Sequence, residues 1–129
     1  MHKGSCLCGA VSFRVESDLK PVEACHCTQC RKWTGHVLFS TEIKRSSLCL
    51  EGEENIRWYP SSEKVRRGFC GRCGSPLFFD PLDKTRHDWI AISMGAFDAP
   101  TGTRLAQHIF VAEQGDYYEI DDDLPKNEH

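Results

Sequence analysis

Seven of the eight cysteines in this chain fall into tight groups: Cys6 and Cys8, then Cys25, Cys27 and Cys30, then Cys70 and Cys73. Disulfide frameworks belong to secreted chains, and where thiols stay reduced such spacing is that of metal ligands. Cys6-Leu7-Cys8 and Cys70-Gly71-Arg72-Cys73 are each followed by glycine, Gly9 and Gly74. A ligand pair on a tight turn lets both sulfurs converge on one cation, and glycine permits the positive φ that such turns need. Four thiolates close a tetrahedron. The spacing therefore predicts a structural zinc on Cys6, Cys8, Cys70 and Cys73 that pins the amino-terminal strand to the middle of the chain. Structural zinc in small peptides contributes about 10–16 kcal/mol of apparent binding energy.

The group Cys25-His26-Cys27-Thr28-Gln29-Cys30 places three thiols within six residues. Three protein ligands leave one position of a second zinc open, the arrangement of a catalytic rather than a closed structural site. Three thiolates over-neutralise the divalent cation, which makes it a poor activator of water but a fit host for another soft sulfur ligand. A substrate thiol bound there loses its proton and is held as a nucleophile beside an electrophile. The competing reading is a second closed site completed by His26, Cys49 or another residue. His26 lies between two ligands, so in an extended segment its side chain points away from both. Cys49 alternates with Leu48 and Leu50 and reads as a lone cysteine on a strand. His36, His87 and His108 read as satisfied core or surface histidines rather than ligands.

The elements that must position these thiols are mostly strands. Val11, Phe13 and Val15 alternate with Ser12, Arg14 and Glu16, the period-two pattern of a strand with one buried face. Further strands are predicted over residues 37–41, 48–50, 56–59, 77–79, 89–94 and 108–111, each bounded by turn-forming residues. Only Thr28 to Thr34 reads as helical, with a threonine able to cap it, and so short a helix needs the adjoining metal ligands for support. The length fits one domain over residues 1–129, with the acidic tail 121–129 as a frayed, solvated end.

A net charge of −3 and a pI near 6.0 speak against a dedicated nucleic-acid binder. No window approaches a membrane span and no apolar leader opens the chain, so the expectation is a soluble, cytoplasmic protein without a membrane partner. Arg31, Lys32, Lys64, Arg66, Arg67 and Arg72 could hold carboxylates of a ligand, although such residues more often form a solvated face. The abundant aromatic residues, Trp33, Trp58 and Trp89 with Phe39, Phe69, Phe78, Phe79, Phe97 and Phe110, are read as core before pocket.

Taken together, Gly4-Ser5-Cys6-Leu7-Cys8-Gly9-Ala10-Val11, the run Cys25 to Lys32, Phe69-Cys70-Gly71-Arg72-Cys73-Gly74-Ser75-Pro76-Leu77, Met94-Gly95-Ala96-Phe97-Asp98 and His108-Ile109-Phe110-Val111 form a pattern. It resembles the glutathione-dependent formaldehyde-activating enzymes and their centromere-protein-V relatives. The resemblance implies an all-β, β-tent fold of antiparallel sheets hinged at a structural zinc, with one short helix near a second zinc held by Cys25, Cys27 and Cys30. It also implies a carbon–sulfur lyase acting on a small thiol adduct such as S-hydroxymethylglutathione, the union of glutathione and formaldehyde. Tyr117-Tyr118-Glu119-Ile120 departs from the tryptophan that many relatives carry in the closing segment. The alternative is a non-catalytic binding or scaffold module with two structural zincs, and a third reading is a redox or zinc-buffering site at the three-cysteine group.

Overall fold

The computed structural model describes residues 1–129 and contains ten strands and one short helix. Strands β1 (His2–Ser5), β2 (Ser12–Val15) and β5 (Leu48–Glu51) form a small antiparallel sheet in the order β1-β2-β5. The larger sheet has seven strands: β3 (Val22–Cys25), β4 (Leu38–Lys44), β6 (Ile56–Pro60), β7 (Val65–Cys70), β8 (Pro76–Pro81), β9 (Trp89–Ser93) and β10 (Leu105–Ile109). Their order is β10-β3-β4-β9-β8-β7-β6. Helix α1 (Thr28–Thr34) sits between β3 and β4. No helix is long and apolar enough to cross a membrane.

Every pairing is antiparallel except β10 with β3, where Leu105 lies beside Val22 and Ile109 beside Cys25 in parallel register. The sequence reading anticipated antiparallel sheets throughout. A parallel pair needs a long crossover, and here the connection runs from β4 to β9, through the rest of the large sheet and β5 of the small one, before the chain returns beside β3.

The two faces of the large sheet have different jobs, and the period of two in its strands divides them. Ile43 of β4, Ile90 and Ile92 of β9 and Phe78 of β8 join Val11, Phe13 and Val15 in the core between the sheets, as does Leu77, which breaks the alternation where the register of β8 with β7 shifts. Phe13 meets Phe78 and Phe97 edge-on, at centroid distances of 6.2 and 5.1 Å. The alternate positions, Leu38, Ser40 and Glu42 of β4, Trp89 and Ala91 of β9 and Phe79 of β8, face a cavity instead. On β8 and β9 the aromatic residues thus divide by strand parity, Phe78 to the core and Phe79 and Trp89 to the cavity.

Strands β1, β3 and β7 have no counterpart in the sequence reading. In β1 the segment His2-Lys3-Gly4-Ser5 lacks alternation; Gly4 is there because a Cβ would lie 2.4 Å from the Phe13 ring. In β7 the run Val65-Arg66-Arg67-Gly68 hides its pattern because Trp58 lies over Gly68, its cross-strand partner, leaving no room for a side chain. Helix α1 has the predicted bounds, but its cap is the Cys27 sulfur, which accepts from the Cys30 N–H at 3.3 Å, rather than a threonine.

One buried charge ties the far side of this sheet together. Asp80, 1% exposed, accepts from Arg45 Nη1 at 2.6 Å and from Arg66 Nε at 2.7 Å, and Arg45 also donates to the Pro81 carbonyl at 2.7 Å. Removing one partner of a buried pair strands the others without compensation. Asp80→Ala is expected to lower unfolding free energy by roughly 3 kcal/mol, read as a lower midpoint in urea denaturation; an unchanged midpoint contradicts this account of the clamp.

Candidate metal centres and the cavity beside them

Cys6 and Cys8 lie on the turn that joins β1 to β2, and Cys70 and Cys73 on the turn that joins β7 to β8. Both turns close on glycines in the left-handed region, Gly9 at φ 81° and Gly74 at φ 80°, as the motif requires. The four sulfurs lie within 4.8 Å of one another, so the cluster bridges the small sheet to the large one. Cys6 Sγ stands 3.7 Å from Cys8 Sγ, and Cys8 Sγ 3.8 Å from Cys70 Sγ. A tetrahedron with zinc–thiolate bonds of about 2.3 Å has edges of about 3.8 Å, so the donor set fits such an ion in type and spacing.

Donors are aimed at these sulfurs. The Val11 N–H points to Cys6 Sγ at 3.3 Å, the Arg72 N–H to Cys70 Sγ at 3.4 Å, and Ser75 Oγ lies 3.2 Å from Cys73 Sγ. Hydrogen bonds to the charged form favour it. Contact with the Ser75 hydroxyl, aided by backbone N–H groups, holds the Cys73 thiol down at about 5, where it is a thiolate at neutral pH.

The second cluster is built on the end of a strand and the start of a helix. Cys25 ends β3, Cys27 caps α1 and Cys30 occupies its first turn, where it is buried. Their three sulfurs also lie within 4.8 Å of one another, and no other histidine, cysteine or carboxylate joins them. Hydrogen bonds from Cys25 and then Cys30 hold the Cys27 thiol far below its ordinary range, while Cys25 is pushed up by the same contact with Cys27. Arg67 Nη1 lies 3.5 Å from Cys30 Sγ and Arg67 Nη2 donates to Gln29 Oε1 at 3.3 Å. This arginine is 4% exposed, with its guanidinium 5.2 Å from the ring centres of both Trp33 and Phe79.

The two residues weighed as a closing ligand are both elsewhere. Cys49 is exposed on β5 of the small sheet, opposite Arg14. His26 turns away from the sulfurs into a chain of hydrogen bonds. Its Nδ1 is 2.8 Å from the Tyr118 hydroxyl, its Nε2 is 2.8 Å from His108 Nδ1, and His108 Nε2 is 2.8 Å from Asp122 Oδ2. Both histidines are buried and satisfied, and burial, then His108, holds the His26 pKa below its ordinary value. The sequence offered no periodicity that ties positions 26, 108, 118 and 122 together.

The same chain fixes the carboxy-terminal segment. It is largely exposed, yet the His108 N–H bonds the Pro125 carbonyl and the Asn127 N–H returns to the His108 carbonyl, both at 2.9 Å. The charge of residues 121–123 suggested only a solvated end; the bond from His108 to Asp122 adds to these backbone bonds in laying it against β10.

All three cysteines of the second cluster line a cavity of about 390 Å3. That is within the range of small-ligand sites. Its floor is the cavity face of the large sheet, and its rim carries Glu113, whose Oε1 accepts from the Thr28 N–H at 3.1 Å. Of the basic residues singled out in the sequence, Arg67 alone lines it.

The chain matches the family described as glutathione-dependent formaldehyde-activating enzyme over residues 1–113. It is 34% identical over 78 residues to an uncharacterized lyase of Schizosaccharomyces pombe, covering 60% of this chain and 56% of that one. It is 36% identical over 88 residues to a provisionally named glutathione-dependent formaldehyde-activating enzyme of Halomonas elongata, covering 61% and 56%. The chain thus matches little more than half the length of either relative. A crystal structure of a Rhodobacter sphaeroides protein superposes with a TM-score of 0.63 at 21% identity, covering 79% of this chain and 98% of that one, and shares the fold. Tyr118 and Asp122 lie beyond the residues of the family match.

The hydrogen bond from His108 holds the Asp122 carboxyl below its ordinary value of 3.8. A depressed pKa means that the ionised form is the docked one, so this contribution is present above pH 3.8 and is lost as pH falls through the folded-state value. Asp122→Ala should lower the protection of the Asn127 amide against hydrogen exchange, relative to its intrinsic rate, several-fold at neutral pH. Acid should do the same to the wild type, and unchanged protection in both cases contradicts the tether.

Proposed function

Because the chain belongs to the glutathione-dependent formaldehyde-activating enzyme family, we propose that it is a zinc-dependent carbon–sulfur lyase acting on a thiol adduct such as S-hydroxymethylglutathione. In this reading Cys6, Cys8, Cys70 and Cys73 hold a structural zinc, and Cys25, Cys27 and Cys30 hold a second zinc with one position left for substrate. One observation carries it: three sulfurs converge on the wall of a ligand-sized cavity with no fourth side chain to close the set. The relatives' names, lyase and formaldehyde-activating enzyme, support the reaction class.

When bound at the trio, zinc supplies a soft Lewis acid that favours the thiolate over the thiol of an added sulfur ligand. The chain's own residues do the rest. The Cys30 N–H directed at Cys27 Sγ and the Arg67 guanidinium beside Cys30 Sγ offset negative charge that three thiolates concentrate. Phe79 and Trp89 line the cavity with apolar surface, which keeps water from the reacting carbon. Breakdown of the adduct cleaves its carbon–sulfur bond with the electron pair going to sulfur. The hydroxyl proton leaves to solvent and the carbon becomes the carbonyl of formaldehyde; the reverse path joins the two.

Turnover of glutathione with formaldehyde is expected to fall by about a hundredfold or more in Cys27→Ser, at least the scale on which lost metal-site partners cost activity. Equal rates for wild type and variant would remove the reading.

A further inference from the structure

His26 separates two of the three thiols of the second cluster, and every polar group it owns is engaged. Its N–H donates to the Ile109 carbonyl at 3.0 Å, and its own carbonyl accepts from Arg31 Nε at 3.3 Å. On the ring, Nδ1 meets the Tyr118 hydroxyl and Nε2 meets His108 Nδ1, each at 2.8 Å. Backbone and ring anchors together fix the place and the rotation of residue 26, and with them the positions of Cys25 and Cys27 on either side.

Donor capacity gives the ring contacts a direction. An ionised Asp122 only accepts, so His108 donates to it through Nε2 and, as a neutral imidazole, accepts through Nδ1. His26 then donates through Nε2 and accepts through Nδ1, where the Tyr118 hydroxyl is the donor. The Tyr118 oxygen in turn accepts from the Gly115 N–H at 3.3 Å. The run is complete only with both ends, Tyr118 and Asp122, in place, and bonds in such a run strengthen one another.

The holding comes from one stretch of chain. Ile109, His108 and Tyr118 are three of the four partners of His26, and Glu113 adds two bonds, its carboxylate accepting from the Thr28 N–H and its carbonyl from Arg31 Nη2 at 2.9 Å. The donors directed at the first cluster come instead from Val11, Arg72 and Ser75. Beyond Asp122 the chain runs on along β10, with Lys126 beside His108 in parallel register. The closing segment therefore touches one metal centre and not the other.

We propose that residues 114–127 are a clasp on the second metal centre, in which Tyr118 and Asp122 are positioning residues that act through His26 and His108 to hold Cys25 and Cys27 in place for the metal. This rests on the reading of the trio as a zinc site and adds what sets its affinity. Outer partners that orient ligands raise metal affinity. The coupling is reciprocal, so metal at the trio holds the clasp down by the same factor.

Titration of the zinc-loaded chain with a chromophoric chelator tests this. The step of zinc release that is absent from Cys27→Ser belongs to the trio, and the other step is the internal control. Asp122→Ala and Tyr118→Phe should each weaken the trio's zinc about tenfold, the low end of the cost of losing an outer partner, and leave the control step unchanged. Asp122→Asn keeps an acceptor for His108 and should restore most of the affinity. In the wild type, filling the trio should raise the hydrogen-exchange protection of the Asn127 amide by a similar factor. Equal weakening at both centres overturns the proposal, because it makes the segment a general stabiliser, and so does an Asp122→Asn no tighter than Asp122→Ala. If the wild type shows only one step, the zinc reading of the trio fails and takes this one with it. If it shows two and neither Asp122→Ala nor Tyr118→Phe moves them, the zinc reading stands and only the clasp falls.

Discussion

Seven sulfurs are gathered into two clusters, each within 4.8 Å, and those that ionise repel one another unless a cation offsets their charge. That constraint organises the molecule. The turn between β1 and β2 and the turn between β7 and β8 belong to different sheets, and their four cysteines are the covalent points at which one cation would join them. The shared core of Phe13, Phe78 and Phe97 brings the sheets together over the rest of their length. A cation at the edge would therefore fix, by independent means, the geometry that the apolar core fixes at the centre.

The second cluster depends on the first only through the large sheet, and its surroundings are of another kind. It sits on a strand end and a seven-residue helix, elements too short to be rigid alone. Support comes from Arg67 on one side and from the His26, His108 and Asp122 chain on the other. Because His26 is drawn outward, the sulfurs on either side of it face the cavity. His26, which stands in sequence between two of the thiols, is thus held out of their cluster.

Much of this was legible in the sequence because ligand spacing and strand alternation are local signals. Cys6-Leu7-Cys8-Gly9 and Cys70-Gly71-Arg72-Cys73-Gly74 declare a paired turn, and Val11, Phe13 and Val15 declare a half-buried strand. What escaped was whatever depends on a distant partner. Strand β7 was hidden because Gly68 is set by Trp58, and the parallel place of β10 because it follows from the order of the whole sheet. Arg67 read as one of several surface cations until its register on β7 placed it between Trp33 and Phe79. His26, set aside as a ligand, and His108, read as a satisfied histidine, gave no sign in the sequence that they bond each other.

The account stands on the division of seven sulfurs into a closed set and an open one. X-ray absorption at the zinc edge, with zinc counted per chain, tests that division directly in protein with and without an added thiol. Two zinc ions per chain should be found, their coordination by sulfur rising by one donor across the pair when the thiol is added. A chain that retains a single zinc, or two whose sulfur coordination does not change with thiol, would contradict it.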